Sequence, residues 1–256
     1  HNIETIFEKI DLKDEIILKE KGKGLKVRAT PSNCGQGKDN IVYKAAKALF
    51  KEAGGALNLD IEIKKRIPVS AGLGGGSSDA ASALRAINEI FKLGVSVKRL
   101  FSISSDIGKD VPFFMIDAPF ASAEGAGEKL KIIDIHKDLF HILIRPSISL
   151  STKMMYRKID KYDFSGKQRH YLKNALLDLK KGAKELEENY YNIFESVLAG
   201  DSVYINRAKA LLLRSGARHS LLSGSGPTVF CTFEREIEAE KIFKNIQRLV
   251  KTDVFL

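Results

Sequence analysis

Residues Pro68 to Asp79 read Pro-Val-Ser-Ala-Gly-Leu-Gly-Gly-Gly-Ser-Ser-Asp, a set of residue types suited to holding an anion. Glycines at 72, 74, 75 and 76 permit backbone turns closed to other residues and leave N–H groups uncovered. Ser77, Ser78 and Asp79 follow as N-cap candidates for a helix with Ala80, Ala81, Ala83, Leu84, Ala86, Ile87, Ile90 and Phe91 at helical spacing. A glycine loop feeding a helix N-terminus is a phosphate cradle, because free amides and the positive end of the helix dipole both face the ligand. Two common phosphate motifs do not account for it. Walker A requires a lysine after its last glycine, and none follows Gly76. The dinucleotide fingerprint would need a third glycine where Ser77 stands, and no acidic residue follows at the distance of a ribose contact. The preceding segment alternates Leu59, Ile61 and Ile63 with Asp60, Glu62 and Lys64, which predicts a half-exposed antiparallel strand, not a buried parallel one. The reading without chemistry is a tight turn between strand and helix.

Two further segments carry candidate chemistry. Asp110 lies in Gly108-Lys109-Asp110-Val111-Pro112-Phe113-Phe114, where Pro112 and the aromatics predict the abrupt start of a strand. Its carboxylate is either a turn cap or a proton acceptor. Later, Leu221-Leu222-Ser223-Gly224-Ser225-Gly226-Pro227-Thr228-Val229-Phe230 reads as strand, glycine turn and strand. That turn is a plain hairpin or a loop built for close approach to a ligand. Cys34 and Cys231 are too few and too far apart for a metal cluster, and are read as small core or surface residues.

The elements that must position these residues are a mixture of strands and helices. Ile6 to Glu20 and Leu25 to Thr30 read as strands with a turn at Gly22 and Gly24, and Asn33 to Asp39 as a polar loop. Asn40 to Ala53 is a helix stopped by Gly54-Gly55, and Val97 to Ile107 is another closed by Gly108. Phe140 to Arg145 is an apolar strand ended by Pro146. From about Ser149 to Tyr191 the chain is polar and rich in lysine and tyrosine, with a helical pattern at Leu172 to Leu179. Helices at Val203 to Ser215 and Ile237 to Val250 follow. Hairpins in place of regular βαβ alternation argue an α+β class, with a domain boundary near residue 140.

With 256 residues, the chain can form one sizeable domain or two modest ones. Its 44% hydrophobic and 29% charged content is that of an ordinary soluble protein, and no apolar run approaches the ~20 residues of a membrane span. A cytosolic location is expected. The net charge of +10 raises nucleic acid, an anionic membrane or polyanionic small substrates. Lysines are scattered through amphipathic segments such as Lys44 to Lys51 and Lys241 to Lys251, with acidic residues among the lysines in several other places. This favours a solvated distribution over a nucleic-acid face, and the basic residues lack aromatic interleaving.

The glycine loop, the Asp110 segment and the Ser223-Gly224-Ser225-Gly226 turn, in this order, resemble the GHMP small-molecule kinases. Asn40-Ile41-Val42-Tyr43, Gly125-Ala126-Gly127-Glu128 and Pro146 to Tyr156 narrow the resemblance to members that phosphorylate a cytidine-diphosphate sugar alcohol in non-mevalonate isoprenoid synthesis. The likeness runs from His1 to about Phe233. It implies an α+β, two-domain fold: a ribosomal S5 domain 2-like domain over 1–139 that binds ATP, and an α/β sandwich of ferredoxin-like type over 140–256. It implies ATP with Mg²⁺, the phosphates held along Pro68, Val69, Ser70, Ala71, Gly72, Leu73, Gly74, Gly75, Gly76, Ser77 and Ser78, with the Ser77 or Ser78 hydroxyl reaching phosphate and Ser78 the candidate for the metal. Asp110 becomes the base that accepts the acceptor's hydroxyl proton. Gly224, Ser225 and Gly226 contact the cytidine-diphosphate substrate, His1 its cytosine ring and Tyr156 the face of that ring, in a site between the domains. Asn192, Phe194 and Glu195 also match a family segment, without a role legible from sequence. The family opens with an Ala-Lys-Ile-Asn strand whose lysine sits beside the aspartate, then Gly-Tyr-His. This sequence starts at His1, so the preceding stretch is expected to be missing from it, and Lys109, pointing away from its neighbour, is a poor substitute. The expected partners are small molecules, without nucleic acid or membrane, for a monomer or weak homodimer. The alternatives are a GHMP kinase for mevalonate-type acids, homoserine or a sugar, and a nucleic-acid-binding protein of S5-like fold.

Overall fold

The computed structural model describes residues 4–20, 24–55, 58–125, 127, 129–135, 137–162, 171–181, 191–198, 202–250 and 252–256. Its strands are β1 (Thr5–Glu8), β2 (Glu15–Lys19), β3 (Gly24–Thr30), β4 (Asn58–Lys64), β5 (Phe120–Glu124), β6 (Lys129–Ile132), β7 (Phe140–Arg145), β8 (Leu221–Leu222), β9 (Val229–Phe233) and β10 (Asp253–Phe255). The helices are α1 (Ile41–Ala53), α2 (Gly75–Ile90), α3 (Val97–Ile107), α4 (Val111–Met115), α5 (Thr152–Ile159), α6 (Tyr171–Lys181), α7 (Ser202–Arg214) and α8 (Glu236–Leu249). By contacts they form two units, His1–Val69 with Gly74–Asp134, and Ser70–Leu73 with Ile135–Leu256.

In the first unit β4 is the middle of the sheet β2-β4-β3. Its alternation does what the pattern predicts: Leu59, Ile61 and Ile63 are buried, while Asp60 and Glu62 pair with Arg28 and Lys19 on the neighbouring strands. The pairing is only half as expected. β2 is antiparallel to β4, but β3 runs parallel to it, a partnership that an alternating pattern does not reveal. α1, α2 and α3 cover the sheet's apolar face. Asn40 starts α1 by accepting the Val42 N–H at 2.9 Å, and Gly54, in the left-handed region, ends it. Ala80, Ala81 and Ala83 are fully buried, and such small side chains let α2 pack closely on its neighbours. A second sheet, β1-β5-β6, completes the unit.

Three expectations are corrected. Ile6 to Glu20 is not one strand: the polar stretch from Lys9 to Asp14 splits it into β1 and β2, which join different sheets. The segment after Asp110 is the short helix α4, with Asp110 at its N-cap. Proline is tolerated in a first helical turn because its missing N–H would have had no partner there. Finally, α2 starts at Gly75 with Gly74 as N-cap, ahead of the serines expected to cap it.

The second unit is built on the antiparallel sheet β10-β7-β9-β8. Ile142 and Ile144 of β7 and Val229 and Cys231 of β9 meet Ile205 and Leu212 of α7 and Ala239 and Ile246 of α8 in its core. Cys231 is thus a core residue, and Cys34 is half-buried.

Candidate active site

In the first unit the glycine loop becomes a helix start with unusual chemistry. Gly74 adopts φ +65°, and no side chain caps the helix it opens. The amides of Gly75, Gly76 and Ser77 therefore lie in a first turn without intrahelical acceptors, and that turn holds no acidic residue. Ser78 N–H is already inside the helix, bonded to the Gly74 carbonyl at 2.9 Å. Gly75 is needed for another reason: a Cβ there would stand 2.8 Å from Ile67 Cγ2 and 3.2 Å from Lys65 Nζ. Ser77 and Ser78 are half-buried and Gly76 is exposed, so this end of α2 reaches solvent.

Asp110 approaches the same place. A Cβ on Gly76 would touch Ile41 Cγ2 at 3.5 Å, and one on Gly108 would touch Ile41 Cδ1 at 3.6 Å. One side chain at the start of α1 thus sits against both the beginning of α2 and the turn that presents Asp110. On the other side, Phe114 of α4 lies 2.9 Å from the Cβ position of Gly74. Asp110 itself is open to solvent, yet burial raises its pKa above the ordinary aspartate value. The two facts are compatible when protein surrounds a carboxyl without covering it. A carboxylate of raised basicity is a better proton acceptor.

Beneath the start of α2 lies a buried ionic cluster with no counterpart in the sequence reading. Lys65, just past β4, contacts Asp14 and donates to Asp79 Oδ2 at 2.8 Å. Asp14 Oδ1 also accepts the Arg66 and Ile67 backbone N–H groups at 2.6 and 2.9 Å. All three charged side chains are less than a tenth exposed. Burial pulls the Lys65 pKa down, but the two carboxylates outweigh it and hold the lysine above its usual value. Burial pushes Asp79 up to about 7 against the pull of Lys65. The lysine keeps its proton and bridges the two carboxylates.

In the second unit, Ser70–Leu73 packs backbone to backbone on the late glycine turn. Ser223 Oγ donates to the Gly72 carbonyl at 2.9 Å, and Thr228 N–H donates to the Ala71 carbonyl at 3.3 Å. Gly72 has φ +75°, and a Cβ on it would lie 2.2 Å from the Ser223 carbonyl oxygen. Asn192 and Glu195, which carried no role in the sequence, fix the turn. The Asn192 amide donates to the Leu222 and Gly224 carbonyls at 2.8 and 2.7 Å. Glu195 accepts the Leu222 N–H at 2.7 Å and pairs with Lys209. The turn backbone groups that they hold lie 27 to 32 residues away, so no local pattern announces them.

Ser70, Gly72, Ser149, Leu150, Ser151, Thr152 and Gly226 line a cavity of about 450 Å³ within this unit. Thr152 Oγ1 and the buried Ser225 Oγ share a hydrogen bond at 2.8 Å, while Gly224 is exposed at the tip of the turn. Ser151 caps α5 beside the cavity by accepting the Met154 N–H. Tyr156 sits one turn further along, half-buried, its ring edge-to-face with Phe194 at 5.1 Å. Of the remaining expected residues, Pro68 and Val69 are half-buried in the first unit, and His1 lies outside the described residues.

Comparison with known proteins shows the family. Residues 40–120 match the family model GHMP kinases N terminal domain, and residues 171–252 match GHMP kinases C terminal. Two curated relatives, from Geobacter sp. (strain M21) and Syntrophus aciditrophicus (strain SB), bear the name 4-diphosphocytidyl-2-C-methyl-D-erythritol kinase. Each is 36% identical to this chain; the first aligns over 97% of this chain and 86% of its own length, the second over 94% and 84%. A solved structure described as 4-(cytidine 5'-diphospho)-2C-methyl-D-erythritol kinase superposes with a TM-score of 0.81 at 27% identity, covering 99% of this chain and 89% of that one. The chain belongs to the GHMP kinase family of ATP-dependent small-molecule kinases.

Proposed function

We infer that this chain transfers the γ-phosphoryl group of ATP to the 2-hydroxyl of 4-diphosphocytidyl-2-C-methyl-D-erythritol, a step of non-mevalonate isoprenoid precursor synthesis. The observation that carries the chemistry is the meeting of the uncapped start of α2 and the Asp110 turn on Ile41. The relatives' shared name supports the choice of acceptor.

Phosphoryl transfer passes through a loose transition state whose charge lies on the peripheral oxygens, so positioning and electrostatics supply most of the catalysis. The amides from Gly75 to Ser77 and the positive end of α2 hold the phosphates, with Pro68 to Leu73 completing the loop. Asp110 accepts the hydroxyl proton as the acceptor oxygen bonds to γ-phosphorus and the bond to the β-phosphate oxygen breaks, releasing ADP. Among the described residues no three His, Cys, Asp or Glu gather as a metal cage. The Ser78 hydroxyl would hold Mg²⁺ beside the phosphates, where the ion would supply charge neutralisation. The cavity beside Ser70 and Thr152, polar in its hydroxyls and flanked by the start of α5, suits the acceptor, with Gly224, Ser225 and Gly226 against it and Tyr156 and His1 on the cytosine. Residues 1–139 then serve ATP and 140–256 complete the enzyme, as a cytoplasmic monomer or weak homodimer.

The test is ADP release by the purified protein with ATP and, in separate reactions, the cytidylated methylerythritol, mevalonate, homoserine and galactose. Turnover is expected with the first alone. Turnover with another acceptor and none with the first would reject this reading.

A further inference from the structure

We propose that Lys65, held by Asp14 and Asp79, is a positioning residue of the nucleotide site, its ammonium bracing the first turn of α2 from below. The inference rests on the reading that this turn holds ATP phosphates. Three observations lead to it. The ammonium lies 3.2 Å from the Cβ position of Gly75, so the middle of the triple glycine lacks a side chain where Lys65 and Ile67 press against it. Lys65 is fixed at both ends: its backbone N–H donates to the Thr30 carbonyl at the end of β3, and its side chain is gripped by carboxylates from the segment before β2 and from α2 itself. Through Asp79 the grip reaches the helix directly, one residue past Ser78.

Stability alone does not explain such a cluster. Buried ion pairs are costly to desolvate, and well-packed apolar residues of equal volume often replace them without loss. A cation under a helix N-terminus is repelled by the helix dipole, so its placement there needs the two carboxylates. What the cluster adds, and an apolar plug would not, is a directional tie from the sheet to the first turn of α2, with positive charge behind the amides that face the nucleotide. A phosphate-binding turn tied in this way loses less entropy when its ligand arrives.

The test compares wild type, K65M and K65M/D79N with ATP and the cytidylated acceptor. K65M strands the Asp79 carboxylate. The double variant removes ammonium and carboxylate together, so the three side chains keep a formal charge of −1, from one lysine and two aspartates before and one aspartate after. The expectation is that K65M lowers Tm, that the double variant recovers it, and that KM for ATP in the double variant stays raised roughly tenfold while KM for the acceptor moves less than about twofold. A double variant with recovered Tm and wild-type KM for ATP overturns the inference, leaving Lys65 a structural residue. If the double variant does not recover its fold, D79N decides, because it weakens the tie to α2 while the ammonium stays on Asp14: KM for ATP raised about threefold or more with KM for the acceptor little changed supports the brace, and a wild-type KM for ATP overturns it. Wild type that turns over while the double variant matches it defeats this inference alone. Wild type with no ATP turnover defeats the functional reading and this inference with it.

Discussion

Asp110 combines two properties that usually exclude each other: it is open to solvent, and the protein around it raises its pKa. A base that must meet a substrate hydroxyl needs both, access for the substrate and a proton affinity above that of a free carboxylate. Asp110→Asn keeps the size and the cap position of the side chain and removes the proton acceptor. It is expected to lower kcat by roughly 10² to 10⁴ while KM for ATP changes little. Steady-state kinetics checks this, and kcat within about threefold of wild type would remove Asp110 from the role of base. Sequence displayed Asp110 as a residue but misjudged its setting, because Pro112 with Phe113 and Phe114 looks like the start of a strand and is instead the first turn of α4. Lys65 and Asn192 were harder to see. Their meaning lies in Asp14 and in the carbonyls of Leu222 and Gly224, all far away along the chain.

At the scale of elements, the glycines divide into those that meet backbone and those that do not. Gly72→Ala places a methyl 2.2 Å from the Ser223 carbonyl oxygen at a left-handed φ, so the Ser70–Leu73 segment must leave the turn or distort. It is expected to destabilise by about 2 kcal/mol. Gly76→Ala meets only Ile41 at 3.5 Å inside a helix and is expected to be neutral or slightly stabilising. Urea unfolding of the two variants gives the comparison, and equal losses would contradict it. The body of α2 was legible because Ala80, Ala83, Leu84 and Ile87 repeat at helical spacing. Its first residue was not, because Gly74 caps with a backbone conformation where the sequence suggested a serine side chain. β4 was legible in its burial and not in its mixed pairing, since alternation reports which face is buried and is silent on the direction of a neighbour.

At the scale of the whole molecule, His219 of the second unit is expected to set part of the acid stability. Its Nε2 accepts the Thr232 N–H at 3.2 Å, and His141 shares Thr232 through its hydroxyl at 3.1 Å. Burial first, and the nearby His141 second, lower the His219 pKa to about 4. A histidine whose pKa falls on folding stays neutral in the native state while the unfolded chain takes up a proton. Its contribution is therefore complete above about pH 6.5 and is lost as pH drops toward 4, up to roughly 3 kcal/mol. His219→Gln removes this titration, so the fall in Tm between pH 6.5 and 4.5 is expected to be shallower than in wild type. Parallel curves would show that His219 does not set it. The grouping of Ser70–Leu73 with Ile135–Leu256 has a different consequence. The hydrogen bond from Ser223 to Gly72 spans 151 residues, so it forms only after synthesis has passed Ser223. A fragment cut at residue 135 would lack four residues of its own packing, and the C-terminal half is not a separable module in the genetic sense.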